Sequence, residues 1–534
     1  MTASTPCTAE DGQADAVAFL MRHAAGRVAP VQVMRTHISL VLLAGDRAFK
    51  LKRAVRFPYL DFSTPALRLA ACEAELVLNR RTAPDLYLAV HRVTQEPKGL
   101  ALDGSGPLVD AVLEMRRFDQ ECLFDRMAQR GALDAELVTA LAHVLAGFHA
   151  GAATSRRHGG ADGIAAVLAS NDRSLRAIPL VSPAAADDLA RAFDQALARH
   201  AALLDARRAA GKVRRCHGDL TLRNICLWNG VPTPFDCIEF DDALATIDVL
   251  YDLVFPLMDL CRQGQPGFAN LLLNRYLDEQ DETDGLAVLP FLMAIRAAIR
   301  AHVTAAQAVG LPDAQARPLL QDARAYLGMV PPLLAGSAPV LIAVGGFSGS
   351  GKSTLAARVA PHVGLPPGAR VLGSDRTRKH MHGVPPGTPL PSQSYRPEVS
   401  VAVYAALRQQ AAATLRAGWS VVVDAVFDRP AERAAVEDVA TAMRVPFTGI
   451  WLDTPPEILL PRIAGRSNDP SDADAAVLHQ QVAKGAGAVG WTWFDAGGPA
   501  DDLRDAVLSR LESGTAEPSG VPSSIASIKG AHHA

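Results

Sequence analysis

The chain has 534 residues, 49% of them hydrophobic and 20% charged, with a formal net charge of −3. That length exceeds one ordinary domain, and the near-neutral balance excludes the broad basic surface of a nucleic-acid binder while leaving small anionic partners open. Seven scattered cysteines, with no C-x-x-C pair, point to reduced core thiols and away from a disulfide or zinc framework.

Residues 1–13 are small and polar and are expected to be disordered. They have neither a basic n-region nor an apolar h-region, and no uninterrupted apolar run of about 18 residues follows, so a cytoplasmic protein without a membrane span is expected. From Val31 the pattern predicts strands joined by a Gly45-Asp46 hairpin turn. Lys50 and Lys52 lie one alternation apart on the second strand and so share a face. Residues 64–81 have helical periodicity and carry Glu73 and Glu75. Strands over 86–93 and 108–115 complete a small lobe, Glu114 to Phe118 is a candidate hinge, and helical patterns, including 137–152, continue to about residue 210.

The next stretch reads Arg214-Arg-Cys-His-Gly-Asp-Leu-Thr-Leu-Arg-Asn-Ile-Cys-Leu-Trp228, then an Asn229-Gly230 turn and an expected strand over 234–240. His217-Gly218-Asp219, with Asn224 five residues after the Asp, resembles the catalytic loop of the aminoglycoside phosphotransferase family, a branch of the protein-kinase-like fold. The resemblance implies that Asp219 orients or deprotonates a substrate hydroxyl and that Asn224 offers an amide oxygen to Mg²⁺. It also implies a further Mg²⁺ carboxylate. Asp236 stands at about the family's usual distance after the Asn, Glu239 has the better spacing to Asp248 and Asp252, and loop geometry speaks for Asp236. On the same ground Lys50, with Lys52 as alternative, holds nucleotide phosphate, and Glu75, with Glu73 as alternative, is its partner. The chain departs from the family in two places: no G-x-G-x-x-G precedes the lysine strand, and Thr221 stands where many relatives carry a second histidine.

Helical segments follow over 254–260, 268–277 and 286–310, where His302 reads as an ordinary helix residue. Pro331-Pro332 and the stretch 335–339 break the pattern and mark a domain boundary. An apolar strand, 341–344, then leads into Gly346-Phe-Ser-Gly-Ser-Gly-Lys352-Ser353, which fits G-x-x-x-x-G-K-[ST] at every fixed position. Gly346, Gly349 and Gly351, with Ser348, Ser350 and Thr354 in the same stretch, turn backbone N–H groups toward a nucleotide's phosphates at a helix N-terminus. Lys352 is expected to reach the β- and γ-phosphates, and Ser353 to reach Mg²⁺.

A second strand, 370–374, ends in Asp375, where an open α/β sheet binds its ligand; the residue reads as an acceptor-hydroxyl carboxylate or as a helix N-cap. A helix over 399–416 and the buried strand 419–425 bring Asp424 to the site as a Walker B carboxylate for Mg²⁺. Arg462 and Arg466, four residues apart in a lid-like segment, are candidates to meet the transferring phosphate. Residues 340–512 resemble the zeta-toxin and gluconate-kinase-like group of P-loop kinases. The whole chain resembles bacterial bifunctional proteins that fuse an aminoglycoside-phosphotransferase-like domain to a P-loop kinase. The expected layout is a protein-kinase-like α+β domain at 14–332, a linker at 333–339, a doubly wound α/β domain at 340–512 and a disordered tail at 513–534. ATP and Mg²⁺ are the expected cofactors and a small hydroxyl compound, sugar or amino sugar, the expected acceptor, with no nucleic acid. The alternatives are a nucleotide-binding regulatory protein whose kinase-like domain senses a ligand, and a nucleotide-sugar or polynucleotide kinase in the second half.

Overall fold

The computed structural model describes residues 13–26, 30–57, 60–178, 180–465 and 470–513; the expected tail from 514 on and nearly all of the expected disordered N-terminus lie outside them. The chain divides into two compact units. The first comprises Met1–Phe268, Arg275–Gln280 and Phe291–Leu334, and the second Ala269–Asn274, Asp281–Pro290 and Ala335–Ala534.

The first unit opens on a six-stranded sheet in the order Gln32–Arg35, Ser39–Ala44, Arg47–Lys52, Leu108–Arg116, Tyr87–Glu96, Gly99–Leu102, with every pair antiparallel. Ala44 pairs with Arg47 across a two-residue turn in which Gly45 has φ 56°, the left-handed backbone such a hairpin demands. Alternation divides the sheet's side chains. Leu42, Ala44, Phe49, Leu51 and Val112 pack with Leu20 and Ala24 of the helix Ala14–Ala25, whereas Leu43, Ala48, Leu113 and Met115 pack with Cys72 of the helix Pro65–Asn79. That second helix is capped by Thr64, whose hydroxyl accepts the Leu67 N–H at 3.3 Å, and carries Pro65 in its first turn.

Helices make up most of the remainder, among them Ala135–Gly151, Gly160–Arg176, Pro183–Ala209 and Val249–Arg262. Two expectations fail here. Residues 235–240 are not a strand: the short hairpin Ile225–Trp228 with Val231–Pro234 ends first, and Asp236 takes φ 65°, which breaks the extended run. The Pro331-Pro332 pair lies inside the helix Asp313–Ala335, which runs into the stretch expected as linker; the chain turns only at Gly336, φ 76°. One helix among the described residues, Leu289–Gln307, is long and apolar enough to cross a membrane by length and composition, and 67% of its apolar window is buried inside the protein.

The second unit is a five-stranded, all-parallel sheet in the order Arg370–Gly373, Val421–Asp424, Leu341–Gly345, Phe447–Asp453, Thr492–Asp495. Leu341–Gly345 is buried throughout because both sheet faces are covered, which is why its sequence is continuously apolar. One face packs against the helices Pro397–Arg416 and Pro430–Met443, the other against Lys352–Val359 and Ala500–Ser513. This is the doubly wound arrangement, and its crossovers put the ends of three neighbouring strands, one of them the edge strand, beside one another: Gly345, Asp424 and Gly373.

Candidate active sites

In the first unit, alternation on Arg47–Lys52 turns both Lys50 and Lys52 toward the helix Pro65–Asn79. On that helix Arg68, Cys72, Glu75 and Asn79 form the buried stripe, and Glu73 lies exposed. Lys50 Nζ donates to Glu75 Oε1 at 2.7 Å and to Asp236 Oδ1 at 2.5 Å. Lys52 Nζ stands 2.5 Å from Glu75 Oε2 and also pairs with Glu239. Burial works against the charge on Lys50, but Asp236 and Glu75 outweigh it and hold the ammonium well above its ordinary range. Asp236 moves the opposite way: burial opposes its charge, and Lys50 holds the carboxyl below its ordinary value.

The catalytic-loop motif is stitched to the same place. His217 and Gly218 donate their backbone N–H groups to Asp252 at 3.0 and 2.9 Å, and His149 Nε2 lies 3.2 Å from the same carboxylate. His217 Nε2 meets Phe235 O at 2.8 Å, and Phe235 N donates to Asn224 O at 2.9 Å, so the loop carrying Asp219 and Asn224 is bound to the turn that presents Asp236. Asn224 Nδ2 donates to the Asp219 backbone oxygen at 2.8 Å and to its Oδ2 at 3.0 Å, which leaves the amide oxygen as the atom a cation would use. The Tyr87 hydroxyl accepts the Asp236 N–H at 3.0 Å. A left-handed aspartate at a crowded site is a strained position of the kind active sites hold. The Asp236 side chain is 41% exposed against 4% for Glu239, which is buried on Lys52, so of the two Asp236 is the more open carboxylate.

Two acids carry weight that sequence reasoning missed. Asp252, singled out only for its spacing, and Asp259 lie two turns apart on the helix Val249–Arg262, both buried. Asp259 accepts the Leu222 N–H and the Tyr326 hydroxyl, each at 3.1 Å, and so anchors the far end of the catalytic loop. The signal for both is a pair of acids at heptad spacing in an otherwise apolar helix. His149, Cys216 and Asp252 have ligand atoms within 4.8 Å of one another, but Asp252 is already bonded to two amides and a histidine, and the group is scaffolding for the loop.

In the second unit the P-loop leaves the central strand as expected, and Gly351, φ 90°, is the N-cap of the helix Lys352–Val359. A Cβ on Gly349, φ 85°, would stand 2.8 Å from Leu459 O, so no larger residue fits that turn. Lys352 Nζ donates to Phe347 O at 3.0 Å, folded over the loop, and the Ser353 hydroxyl bonds to Asp424. Gly373 pairs with Asp424, which brings Asp375 to the same end of the sheet. Gly373, not Asp375, is the N-cap of the helix Ser374–Met381, and Asp375 lies in its first turn. Arg462 donates to Ala496 O at 2.9 Å, and its guanidinium reaches within 4.0 Å of where a Cβ would stand on Gly351. Arg466 falls outside the described residues. Ser348 and Ser350 are buried in the loop, whereas Thr354 faces outward. Ser348 donates its N–H to Gln481 Oε1 at 2.9 Å, a contact across 133 positions that no residue pattern announces.

Both places fit a magnesium nucleotide by their own features. In the first, the open carboxylate of Asp236 pairs with a charged lysine, and the backbone of Phe235, the residue before it, is bonded to that of Asn224. In the second, among the described residues the buried Ser350 hydroxyl has no partner, and a backbone cradle too tight for side chains leads to a serine–aspartate pair.

Comparison with known proteins gives the family of the chain. Residues 68–289 match the family described as "Phosphotransferase enzyme family" and residues 341–486 the one described as "AAA domain". Over 466 residues the chain is 31% identical to uncharacterized protein Rv2004c of Mycobacterium tuberculosis and, equally, to uncharacterized protein Mb2027c of Mycobacterium bovis, covering 85% of this chain and 90% of each relative. The chain belongs to this family of fused phosphotransferase and P-loop kinase proteins. It is a kinase-type enzyme with nucleotide binding built into its domains. Among solved structures it is similar to a choline/ethanolamine kinase family protein from Mesorhizobium loti (16% identity, 61% of this chain and 98% of that one, TM-score 0.35) and to a gluconokinase from Sinorhizobium meliloti (21% identity, 33% and 94%, TM-score 0.25).

Proposed function

We propose that this chain carries two ATP-dependent phosphotransferase centres, each directed at a hydroxyl of a small, sugar-like or amino-sugar-like molecule in the cytoplasm. The observation that supports it is the presence, in each unit, of a lysine, a carboxylate at the same site and a further aspartate nearby: Lys50, Asp236 and Asp219 in one, Lys352, Asp424 and Asp375 in the other. When bound, magnesium ATP supplies the phosphoryl group, and the metal neutralises its charge.

The chain's own residues do the rest. Asn224 and Asp236 would hold the metal in the first centre, and Ser353 and Asp424 in the second. Lys50, kept charged by its carboxylates, and Lys352, with the loop amides, bind phosphate oxygens. Asp219 accepts the proton of the acceptor hydroxyl, and the Asn224 amide fixes the orientation of its carboxylate. Asp375 has that role in the second centre, with Arg462 at the loop's edge to meet negative charge. The domain boundary proposed from sequence, a linker at 333–339, moves to begin after Ala335.

The test is ATP turnover on a panel of sugars, sugar acids and aminoglycosides with Asp219→Asn and Lys352→Ala separately. Each variant should lose one of two activities by roughly 10²- to 10⁴-fold; unchanged turnover in both would refute the assignment. One observation favours a second reading, in which the first unit binds nucleotide as a ligand sensor: where a glycine-rich cover would stand, Thr36 and Ser39 close a tight turn on themselves at 2.9 Å. Magnesium-dependent nucleotide binding with no acceptor phosphorylated by the first unit would select it.

A further inference from the structure

Five charged side chains of the first unit alternate in sign along one chain of contacts: Asp236, Lys50, Glu75, Lys52, Glu239. Three carboxylates against two ammoniums leave one negative charge in excess. The two ends of the chain differ. At one end Asp236 is 41% exposed and Lys50 13%; at the other Lys52 is 1% exposed, Glu239 4% and the central Glu75 0%. The buried end is closed further by Phe62, whose ring centroid lies 5.4 Å from Lys52 Nζ. A buried ion pair with one partner removed leaves an uncompensated charge in low dielectric, whereas the exposed end can trade partners with solvent or a ligand.

A phosphate-binding lysine needs only one carboxylate to orient it. Lys50 has Glu75, and Glu75 has a second lysine on its other oxygen. A carboxylate held by Lys52 on Oε2 cannot rotate away when Lys50 changes partner on Oε1.

We propose that Lys52 and Glu239 are positioning residues of the first centre: Lys52, locked by Glu239, fixes Glu75 so that Lys50 stays in place while exchanging Asp236 for a nucleotide's phosphate, and Glu239 is the anchor of that lock and not a metal ligand. The proposal rests on the nucleotide-binding reading of this unit. It accounts for the second lysine on the strand, and it separates the two carboxylates whose spacing alone left both open as metal ligands.

The experiment uses the full chain bearing Lys352→Ala, so that nucleotide binding reports the first centre. It measures thermal stability and, by calorimetry, the affinity for a non-hydrolysable ATP analogue with and without Mg²⁺. Lys52→Met is expected to lower the melting temperature and to weaken the analogue by about 10- to 100-fold, the scale on which groups that orient a ligand-binding residue act. Lys52→Met with Glu239→Gln removes both buried charges; it should regain melting temperature and leave the affinity low. Lys52→Arg should regain part of both. Glu239→Gln alone should keep the Mg²⁺-dependent gain in affinity, and Asp236→Asn should lose it. Parent-like affinity in the double variant makes the pair merely structural, and loss of the Mg²⁺ gain in Glu239→Gln makes Glu239 a metal ligand; either result overturns the proposal. If Lys52→Met does not fold, Lys52→Arg and Glu239→Gln still decide. Parent-like binding in both Lys50→Ala and Asp236→Asn is a different failure: the first unit is then no nucleotide site, and the proposal falls with its foundation.

Discussion

In the proposed reading the two centres grip phosphate by opposite means. The second uses backbone: N–H groups of one contiguous loop, shaped by glycines and closed by a serine and an aspartate. The first uses a side chain: a lysine from a strand, oriented by a glutamate from a helix and paired with a carboxylate from a distant turn. Backbone donors cannot titrate and are disturbed only by geometry. Side-chain donors depend on the protonation and pairing of each neighbour, so the first centre should be the more sensitive to charge and the second to shape.

The largest expected effects test whether the centres are separate. Asp219→Asn should cost the first activity roughly 10²- to 10⁴-fold and leave the P-loop activity within about twofold, with Lys352→Ala doing the reverse. Loss of both activities in each variant, read from turnover of two resolved acceptors, would overturn the assignment of separate centres. Next in size is shape. Gly349→Val adds a branched side chain at φ 85° against Leu459 O, and strain of about 1–3 kcal/mol should weaken nucleotide binding at the P-loop by roughly 5- to 150-fold. The same substitution should not alter analogue binding at the first centre, which calorimetry in a Lys352→Ala background reports.

The same contrast sets how much of each centre is legible in the sequence. The P-loop is legible because its whole motif lies in Gly346 to Ser353, and strand, loop and helix follow in order. The first centre is legible only at His217, Asp219 and Asn224. Lys50 and Lys52 share a face by alternation, and Glu73 and Glu75 differ by two positions, so only packing separates them: Glu75 lies on the buried stripe and Glu73 does not. Asp236 reads as part of a strand because Pro234 to Phe240 is mostly apolar, and its left-handed backbone shows only in three dimensions. Asp259 and Gln481 are hidden for another reason. Each acts on a backbone N–H remote in sequence, Leu222 and Ser348, and backbone donors leave no residue type to pair with.

A smaller effect separates the first unit from the second in acid. Asp252 is buried beneath the catalytic loop; burial opposes its charge, but His149 and the amide of His217 outweigh that and lower its carboxyl from 3.8 to about 2. A carboxyl lowered on folding stabilises the protein above its unfolded value of 3.8, and that stability is lost as pH falls through about 2. The contribution is about 2 kcal/mol. Denaturant unfolding from about pH 5 down to pH 2 should show it in the parent chain and not in Asp252→Asn, whose first unit should be less stable at neutral pH and flatter in acid. An equal acid limb in the variant would place the pH sensitivity elsewhere.

The smallest effect concerns Gln481, whose Oε1 accepts the Ser348 N–H at 2.9 Å. That N–H belongs to the loop whose amides are proposed as the second centre's phosphate donors, so in that reading the glutamine oxygen is an acceptor competing with a phosphate oxygen. A neutral hydrogen bond is worth about 0.5–1.5 kcal/mol net. Gln481→Ala should therefore tighten binding of a non-hydrolysable ATP analogue at the P-loop by a few-fold, about 2- to 10-fold. Were Gln481 instead a strut that holds the loop open, the same variant would weaken binding by a similar factor. The sign of the change, measured by calorimetry in a chain carrying Lys50→Ala to silence the first centre, decides whether a loop that binds through its backbone is governed by a side chain after all.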